Sequence, residues 1–331
     1  MRTLLLLSVL AASGPAAPTA RTIEAREPCP AGSVVRLAHR YGNIVARPVP
    51  GDTLQVAASA RVDGRDSRQV GEFLAAIELS VARWADTVFV AVLYPELVEP
   101  SRDFSYEVDL RLGVPDGVRL DAAGSFGDIE LHGITGGSSV SNRYGNASFR
   151  ACRDVDVAVK HGDVRVEANT GRLGINCTYG NVFLDAVADR VDVDSRYGDV
   201  TGQQLAGDVT INNVLGSIET AGGQGRWRLV SRCGRVAARL DDSALARLDV
   251  VAQLARVRLL MPQVLPFRIE GRTESGEIGT AFPFQTRLAG DQHHLSGTRG
   301  RGGPRIAFTG AWSDFSIEPD STGRPATDEG R

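Results

Sequence analysis

A glycine returns through the middle of this chain at near-constant spacing: Gly127, Gly145, Gly162, Gly180, Gly198, Gly216 and Gly234 lie 18, 17, 18, 18, 18 and 18 residues apart. A period that strict requires one small unit to be copied and stacked on itself. The columns around the glycine identify the unit. Two positions after it stand Ile129, Ala147, Val164, Val182, Val200, Ile218 and Val236, and four positions after it Leu131, Phe149, Val166, Leu184, Gly202, Thr220 and Ala238. The residues between, such as Glu130, Arg165 and Glu219, are mostly polar. That alternation is a strand with one buried face. A second strand follows in the same period, with inward pairs Leu173/Ile175, Val191/Val193, Val209/Ile211 and Trp227/Leu229. A unit of two short strands cannot bury its apolar face alone, whereas stacked copies share one core. The sequence therefore predicts an all-β fold, a β-solenoid with rungs of about 18 residues.

The pattern reaches beyond the regular repeats at 124–240. His39-Arg40-Tyr41-Gly42-Asn43-Ile44-Val45 already resembles the repeat unit, so the fold is expected to begin near residue 33, with an N-terminal β region over 33–123. Within it, Val70, Phe73, Leu74 and Ile77 follow helical spacing behind Asp66 and Ser67, which predicts a short amphipathic helix over 66–77 that covers an open edge or end. Further β-strand repeats are expected over 241–318, with core pairs Leu248/Val250 and Val257/Leu259, an exposed loop over 290–304, and a disordered tail at 319–331. The mature chain is then expected to be one elongated body.

Met1 to Ala20 carries Arg2, an apolar run from Leu4 to Ala12, then small residues and prolines. That is the layout of a signal peptide, cleaved between residues 13 and 20, and its apolar run is too short to span a bilayer. No later stretch is long enough to do so, which predicts a secreted or periplasmic protein. With 37 basic and 40 acidic side chains there is no basic field to attract nucleic acid. Export permits disulfides among Cys29, Cys152, Cys177 and Cys233. Stacking places Cys177 and Cys233 about 14 Å apart, at about 4.8 Å per rung, too far to bridge. Cys29, on a leader between prolines, is the one free to reach another, and buried unpaired thiols are expected for at least two of the four.

The run Val114-Pro115-Asp116-Gly117-Val118-Arg119-Leu120 leads into Gly127-Asp128-Ile129-Glu130-Leu131. Gly162-Asp163-Val164-Arg165-Val166, Gly198-Asp199-Val200 and Gly302-Gly303-Pro304-Arg305-Ile306 continue the series. Over roughly residues 33 to 318 the chain resembles the bacterial "putative adhesin" family of β-strand-repeat domains, a domain of unknown function. The resemblance implies an exported, β-solenoid-like protein of the cell envelope and brings no catalytic residues with it.

Three columns invite chemistry. The residue after each glycine is Asp128, Asn146, Asp163, Asn181, Asp199, Ser217 or Arg235. Calcium rolls use such a column, but with a denser glycine pattern; capping of nearby amides by Asx side chains is the simpler account. The residue before each glycine is Phe126, Tyr144, His161, Tyr179, Tyr197, Leu215 or Cys233, and the one before that includes Arg143, Lys160 and Arg196. Tyr144, Tyr179 and Tyr197 with Arg143, Lys160 and Arg196 form the candidate ligand-binding corner, where ring faces and cationic donors would hold a sugar or acidic polymer; the alternative is a corner stack that packs ring on ring. Of the histidines, His39, His132, His161, His293 and His294, none sits in a recognisable catalytic or zinc motif. The expectation is a non-catalytic module without cofactor or metal, whose partner is a glycan or protein of the envelope or cell surface. A polysaccharide lyase or glycosidase built on a β-helix, and a purely structural envelope protein, are the alternatives.

Overall fold

A computed structural model describes residues 19–95, 104–240 and 245–320. Residues 1–18, where the signal peptide is expected, and the part of the expected tail from 321 lie outside the described residues. The chain divides into two compact units, Met1–Gly162 and Asp163–Arg331.

The first unit contains β1 (Ala20–Pro28), β2 (Val34–Tyr41), β3 (Ile44–Val49), β4 (Thr53–Gly64), helix α1 (Ser67–Ala76), β5 (Glu78–Trp84) and β6 (Thr87–Leu93). After them come β7 (Phe104–Pro115), β8 (Arg119–Phe126), β9 (Ile129–His132), β10 (Ser138–Tyr144), β11 (Ala147–Arg150) and β12 (Arg153–His161). Its regular rungs pair in parallel at the repeat offset: Val140 lies opposite Ala122 on one side and Val157 on the other, and Ala147 opposite Ile129. The early copy of the repeat belongs to the same stack. Tyr41 lies opposite Phe126 and Ile44 opposite Ile129, so β2 and β3 make a rung seated directly on β8 and β9. The intervening segment departs from the pattern, since β4 runs antiparallel to β7 and β5 antiparallel to β6.

Helix α1 forms where its spacing predicts. The Asp66 carboxylate accepts from the amides of Arg68 and Gln69, and Val70, Phe73 and Leu74 are buried. Phe73 packs on Phe104 and Tyr106 of β7, at 5.1 and 4.7 Å between centroids, so the helix covers the antiparallel insertion. Its C-terminal carbonyls are satisfied from a distance: the Arg21 guanidinium donates to Leu74 O, Ala75 O and Ile77 O.

Arg21 sits on an element that the sequence does not announce. Where a flexible leader is expected before residue 33, β1 pairs with β4 along its whole length, from Ala20 opposite Arg61 to Pro28 opposite Thr53. Ile23 and Ala25 are too sparse to read as an apolar alternation, and the strand is held by its ladder and not by burial. Cys29 follows it into the core, with its amide on Asp52 O at 2.6 Å. It is not free to reach another cysteine.

The second unit begins with regular rungs: β13 (Val164–Glu167), β14 (Thr170–Tyr179), β15 (Val182–Asp185), β16 (Arg190–Arg196), β17 (Val200–Leu205), β18 (Asp208–Val214), β19 (Ser217–Gly223), β20 (Gly225–Arg232) and β21 (Arg235–Arg239). Val182 faces Val164 and Val200, and Val191 faces Leu173 and Val209, so both strands of each rung stack in parallel. The expected inward pairs are buried throughout. After these come β22 (Leu245–Gln253), β23 (Arg256–Met261), β24 (Phe267–Glu274), β25 (Ile278–Thr280), β26 (Gln285–Ala289), β27 (Gln292–Arg299), β28 (Arg305–Ala311) and β29 (Asp314–Pro319). Chain order and stacking order part company there. The final strands β28 and β29 seat on β22 and β23, pairing Ile306 with Leu248 and Phe315 with Val257, and the earlier β24 and β25 stack outside them. The exposed loop expected over 290–304 contains a strand instead, β27, antiparallel to β24 and β26. Leu295 is its one buried side chain, which is why composition alone reads the segment as a loop.

The glycine period has a steric cause. A Cβ on Gly145 would overlap the carbonyl oxygen of Gly127, and one on Gly162 that of Gly145. In the second unit Gly198, Gly216 and Gly234 meet Gly180, Gly198 and Gly216 in the same way. Gly216→Ala is accordingly expected to cost about 1–3 kcal/mol, the range for overpacking, whereas Gly279→Ala, whose new methyl has only ordinary contact at 3.9 Å, is expected to stay within about 0.5 kcal/mol. Urea midpoints of the two variants check this.

Candidate functional site

The corner that precedes each glycine is built from the inside outward. In the first unit Asn142 points inward from β10 and donates through Nδ2 to Gly127 O at 2.9 Å and Asn146 O at 3.3 Å. In the second, Asn213 does the same from β18, to Gly198 O at 3.1 Å and Ser217 O at 3.0 Å. Sequence reasoning passes over these residues; the signal was a carboxamide at an otherwise apolar inward position, three residues before the glycine.

The Asx column forms a second layer. Asn43 Oδ1 accepts the Asp128 amide at 2.8 Å, and Asp128 Oδ1 accepts the Asn146 amide at 2.7 Å. In the second unit Asp163 Oδ1 accepts from Asn181, Asn181 Oδ1 from Asp199, and Asp199 Oδ1 from Ser217, at 2.7, 3.0 and 2.7 Å. Capping therefore runs from one rung to the next and not within a single turn. It engages one oxygen, Oδ1, of each of these side chains. Among the described residues no group of three or more His, Cys, Asp or Glu side chains is placed to hold a metal ion. His293 and His294 are neighbours on β27, so their rings leave opposite faces of the strand.

Outside these layers stand the six residues singled out from the sequence. Tyr144, Tyr179 and Tyr197 are 43%, 46% and 52% exposed, so the corner faces solvent. In the first unit Tyr144 lies between Phe126, at 5.1 Å and 7°, and His161, at 4.9 Å and 4°. Tyr41 stacks beyond Phe126 at 5.5 Å. In the second unit Tyr179 and Tyr197 stack at 5.0 Å and 12°. The rings thus cover one another's faces, and what Tyr144 offers outward is its edge and hydroxyl. The expectation that ring faces would carry a sugar does not fit this packing at Tyr144.

Arg143, Lys160 and Arg196 are exposed and have no ionic or hydrogen-bonded partner among the described residues. Three other outward arginines differ. Arg190 binds Asp192 at 2.8 Å, Arg247 binds Asp249 at 2.7 Å and Arg226 binds Asp208 at 3.0 Å, and these carboxylates push the guanidinium pKa values up. The first unit brings Arg143 and Lys160 together beside Tyr144 on adjoining strands, since Asn142 pairs with Val159 and Tyr144 with His161. In the second, Arg196 is followed across the sheet by Val214 and Arg232, around a depression of about 350 Å³ that Asn176 and Asn212 also line.

All four cysteines are free: Cys29, Cys152 and Cys177 are buried and Cys233 is exposed. Burial pushes the three interior thiols up in pKa, Cys177 to about 11. A thiol reagent at neutral pH is expected to modify Cys233 alone in the folded protein and all four after unfolding, as a mass count would show. The Cys177 pKa lies above the ordinary 9.0 in the folded state, so its contribution to stability is complete below pH 9 and is lost as the pH rises toward about 11. Comparison of unfolding midpoints for the native chain and Cys177→Ser across that window tests the sign.

Among the described residues no helix is long and apolar enough to cross a membrane. No family model matches the chain, and no curated protein matches it. Among the solved structures similar to it are two from bacteria. One is described as a "putative cell adhesion protein" from Clostridium sporogenes, at 8% identity and a TM-score of 0.21, covering 90% of this chain and all of the other. The second is described as a "putative adhesin" from Bacteroides fragilis, at 11% identity and a TM-score of 0.29, covering 90% of this chain and 97% of the other.

Proposed function

We propose that this chain is an exported, non-catalytic β-repeat module of the bacterial cell envelope that holds a glycan or protein partner at its Tyr/Arg corner. The observation that carries the reading is a contrast in pairing: Arg143, Lys160 and Arg196 keep free cationic donors beside exposed tyrosines, while Arg165, Arg190, Arg226 and Arg247 are held by carboxylates. Because the Tyr144 ring has both faces covered, recognition there rests on Tyr hydroxyls and on charge-assisted bonds from Arg143 and Lys160, the geometry suited to carboxylate, sulfate or phosphate groups on a partner. The rungs supply this corner by repetition.

The test has three arms. Binding of purified protein to glycan arrays and to cell-envelope fragments is expected to fall at least tenfold in the triple variant Arg143→Ala, Lys160→Ala and Arg196→Ala. It is expected to fall less in Tyr144→Ala, Tyr179→Ala and Tyr197→Ala, with both triples still folded by circular dichroism. Binding unchanged in both would remove the corner from the account. Cleavage of any acidic or neutral polysaccharide by the purified chain would overturn the non-catalytic reading, and a mature N-terminus outside residues 13–20 in exported material would overturn the signal-peptide assignment.

A further inference from the structure

The antiparallel insertion in the first unit builds a depression with a lining different from that beside Arg196. On the outer face of β1, β4, β7, β3 and β9 lies a depression of about 600 Å³. Its floor is low because small residues fill the centre: Arg111 lies opposite Ala57 on β4, and Gly113 lies between Gln55 and Arg47. A Cβ on Gly113 would point to this outer face and meet the Val49 side chain, which lies against the glycine there. Three arginines stand around this floor. Arg111 rises from its middle, Arg47 from the neighbouring strand two residues further along, about 8 Å away by strand geometry, and Arg26 from β1 opposite Gln55. All three are exposed, and none has a carboxylate or hydrogen-bond partner among the described residues.

Several other arginines are neutralised instead. Arg61, Arg119, Arg165, Arg190, Arg226, Arg247 and Arg258 all hold a carboxylate within 3.0 Å. Two acids do line the depression, but at its ends. Glu24 lies beyond Ala57 and Glu130 beyond Val45, so each sits two strands from Arg111 on opposite sides. Positive charge is thus concentrated at the centre, with acceptors at the two margins and the Gln55 carboxamide between. A bare polyanion would meet repulsion at those ends. An acidic saccharide suits both parts, because guanidinium forks match a planar carboxylate and carboxylate acceptors take sugar hydroxyls.

We propose that this depression is a second binding site, one that takes a uronic-acid unit of a glycan: the sugar carboxylate is held by Arg111 and Arg47, with Arg26 adding charge, and the flanking hydroxyls donate to Glu24 and Glu130. The site is independent of the corner and lies within the first unit. It needs no change in the fold, since all the groups already face solvent.

Calorimetric titration of the full chain with a linear uronic-acid tetrasaccharide, its carboxyl-reduced neutral counterpart and inorganic sulfate tests the proposal. Saturable binding of the uronate is expected, weakening as salt is raised, with none for the neutral sugar. The double variant Arg47→Ala, Arg111→Ala is expected to lose at least tenfold in affinity at an unchanged melting temperature, and Arg47→Lys, Arg111→Lys to recover part of it. The corner triple Arg143→Ala, Lys160→Ala, Arg196→Ala should leave this binding intact. Absence of uronate binding, binding indifferent to Arg47 and Arg111, or sulfate binding as tightly as the tetrasaccharide would each overturn the assignment. If the corner triple abolishes uronate binding and the Arg47/Arg111 pair does not, this inference falls while the corner reading stands.

Discussion

Strand spacing in a sheet is about 4.8 Å, and in this chain the turns are stacked at the same spacing as the strands. At the corner the backbones of successive rungs approach so closely that a methyl group on the anchor residue would overlap the carbonyl of the rung before it. Glycine is the one residue without that atom. The rest of the corner depends on the same approach. It brings an Asx side chain within reach of the next rung's amide, lets one carboxamide serve two carbonyls, and sets successive rings about 5 Å apart. Backbone groups of the turn are thereby paired along the stack, while Asn142 Oδ1 and Asn213 Oδ1 are buried without a hydrogen-bond partner among the described residues.

A repeat this regular also multiplies like charges, because a residue type at one outward position recurs beside itself. Along much of the surface the chain resolves the conflict locally. Arg165 with Glu167, Arg190 with Asp192 and Arg247 with Asp249 lie two residues apart on one strand and so share a face. Surface pairs of this kind contribute little to stability; what they do is neutralise the face. The corner cations lack that relief. Ser141 and Ala158 stand two residues before Arg143 and Lys160, and Asp194, two residues before Arg196, is taken by the Asn212 carboxamide at 2.9 Å. The repulsion among exposed cations is tolerable because solvent and salt screen it, and it leaves their donors open to a partner.

Much of the fold was legible because it is periodic. The aliphatic columns, the paired strands, the Asp66 cap and the early rung at Tyr41-Gly42-Asn43 all follow from local pattern. What escaped the sequence is non-local. β1 carries too few apolar residues to be recognised, yet its ladder and the reach of Arg21 to the end of α1 hold it in place. β27 is polar because its partners, not its own side chains, do the burying. The seating of β28 and β29 inside β24 and β25 is a matter of which edges meet, on which strand content is silent. At the candidate site the residues were identifiable but their orientation was not. A column of aromatics reads the same whether its faces point outward or at one another, and spacing of about one strand decides for the second at Tyr144.

The same regularity explains where a concave site has room to form. On an undisturbed rung each outward side chain is flanked by its own column above and below, so the face fills evenly. Inserting β4 and β7 with antiparallel pairing breaks those columns and sets residues from unrelated parts of the chain side by side: Ala57 beside Arg111, Gly113 beside Arg47. Small residues then fall next to long ones, and a depression opens with charged walls. β1 closes its rim by adding Glu24 and Arg26 from the edge. The interruption of the solenoid, covered on its other side by α1, is therefore where residues distant in the sequence meet in one concave surface, whereas each corner of the regular rungs repeats a single residue pattern.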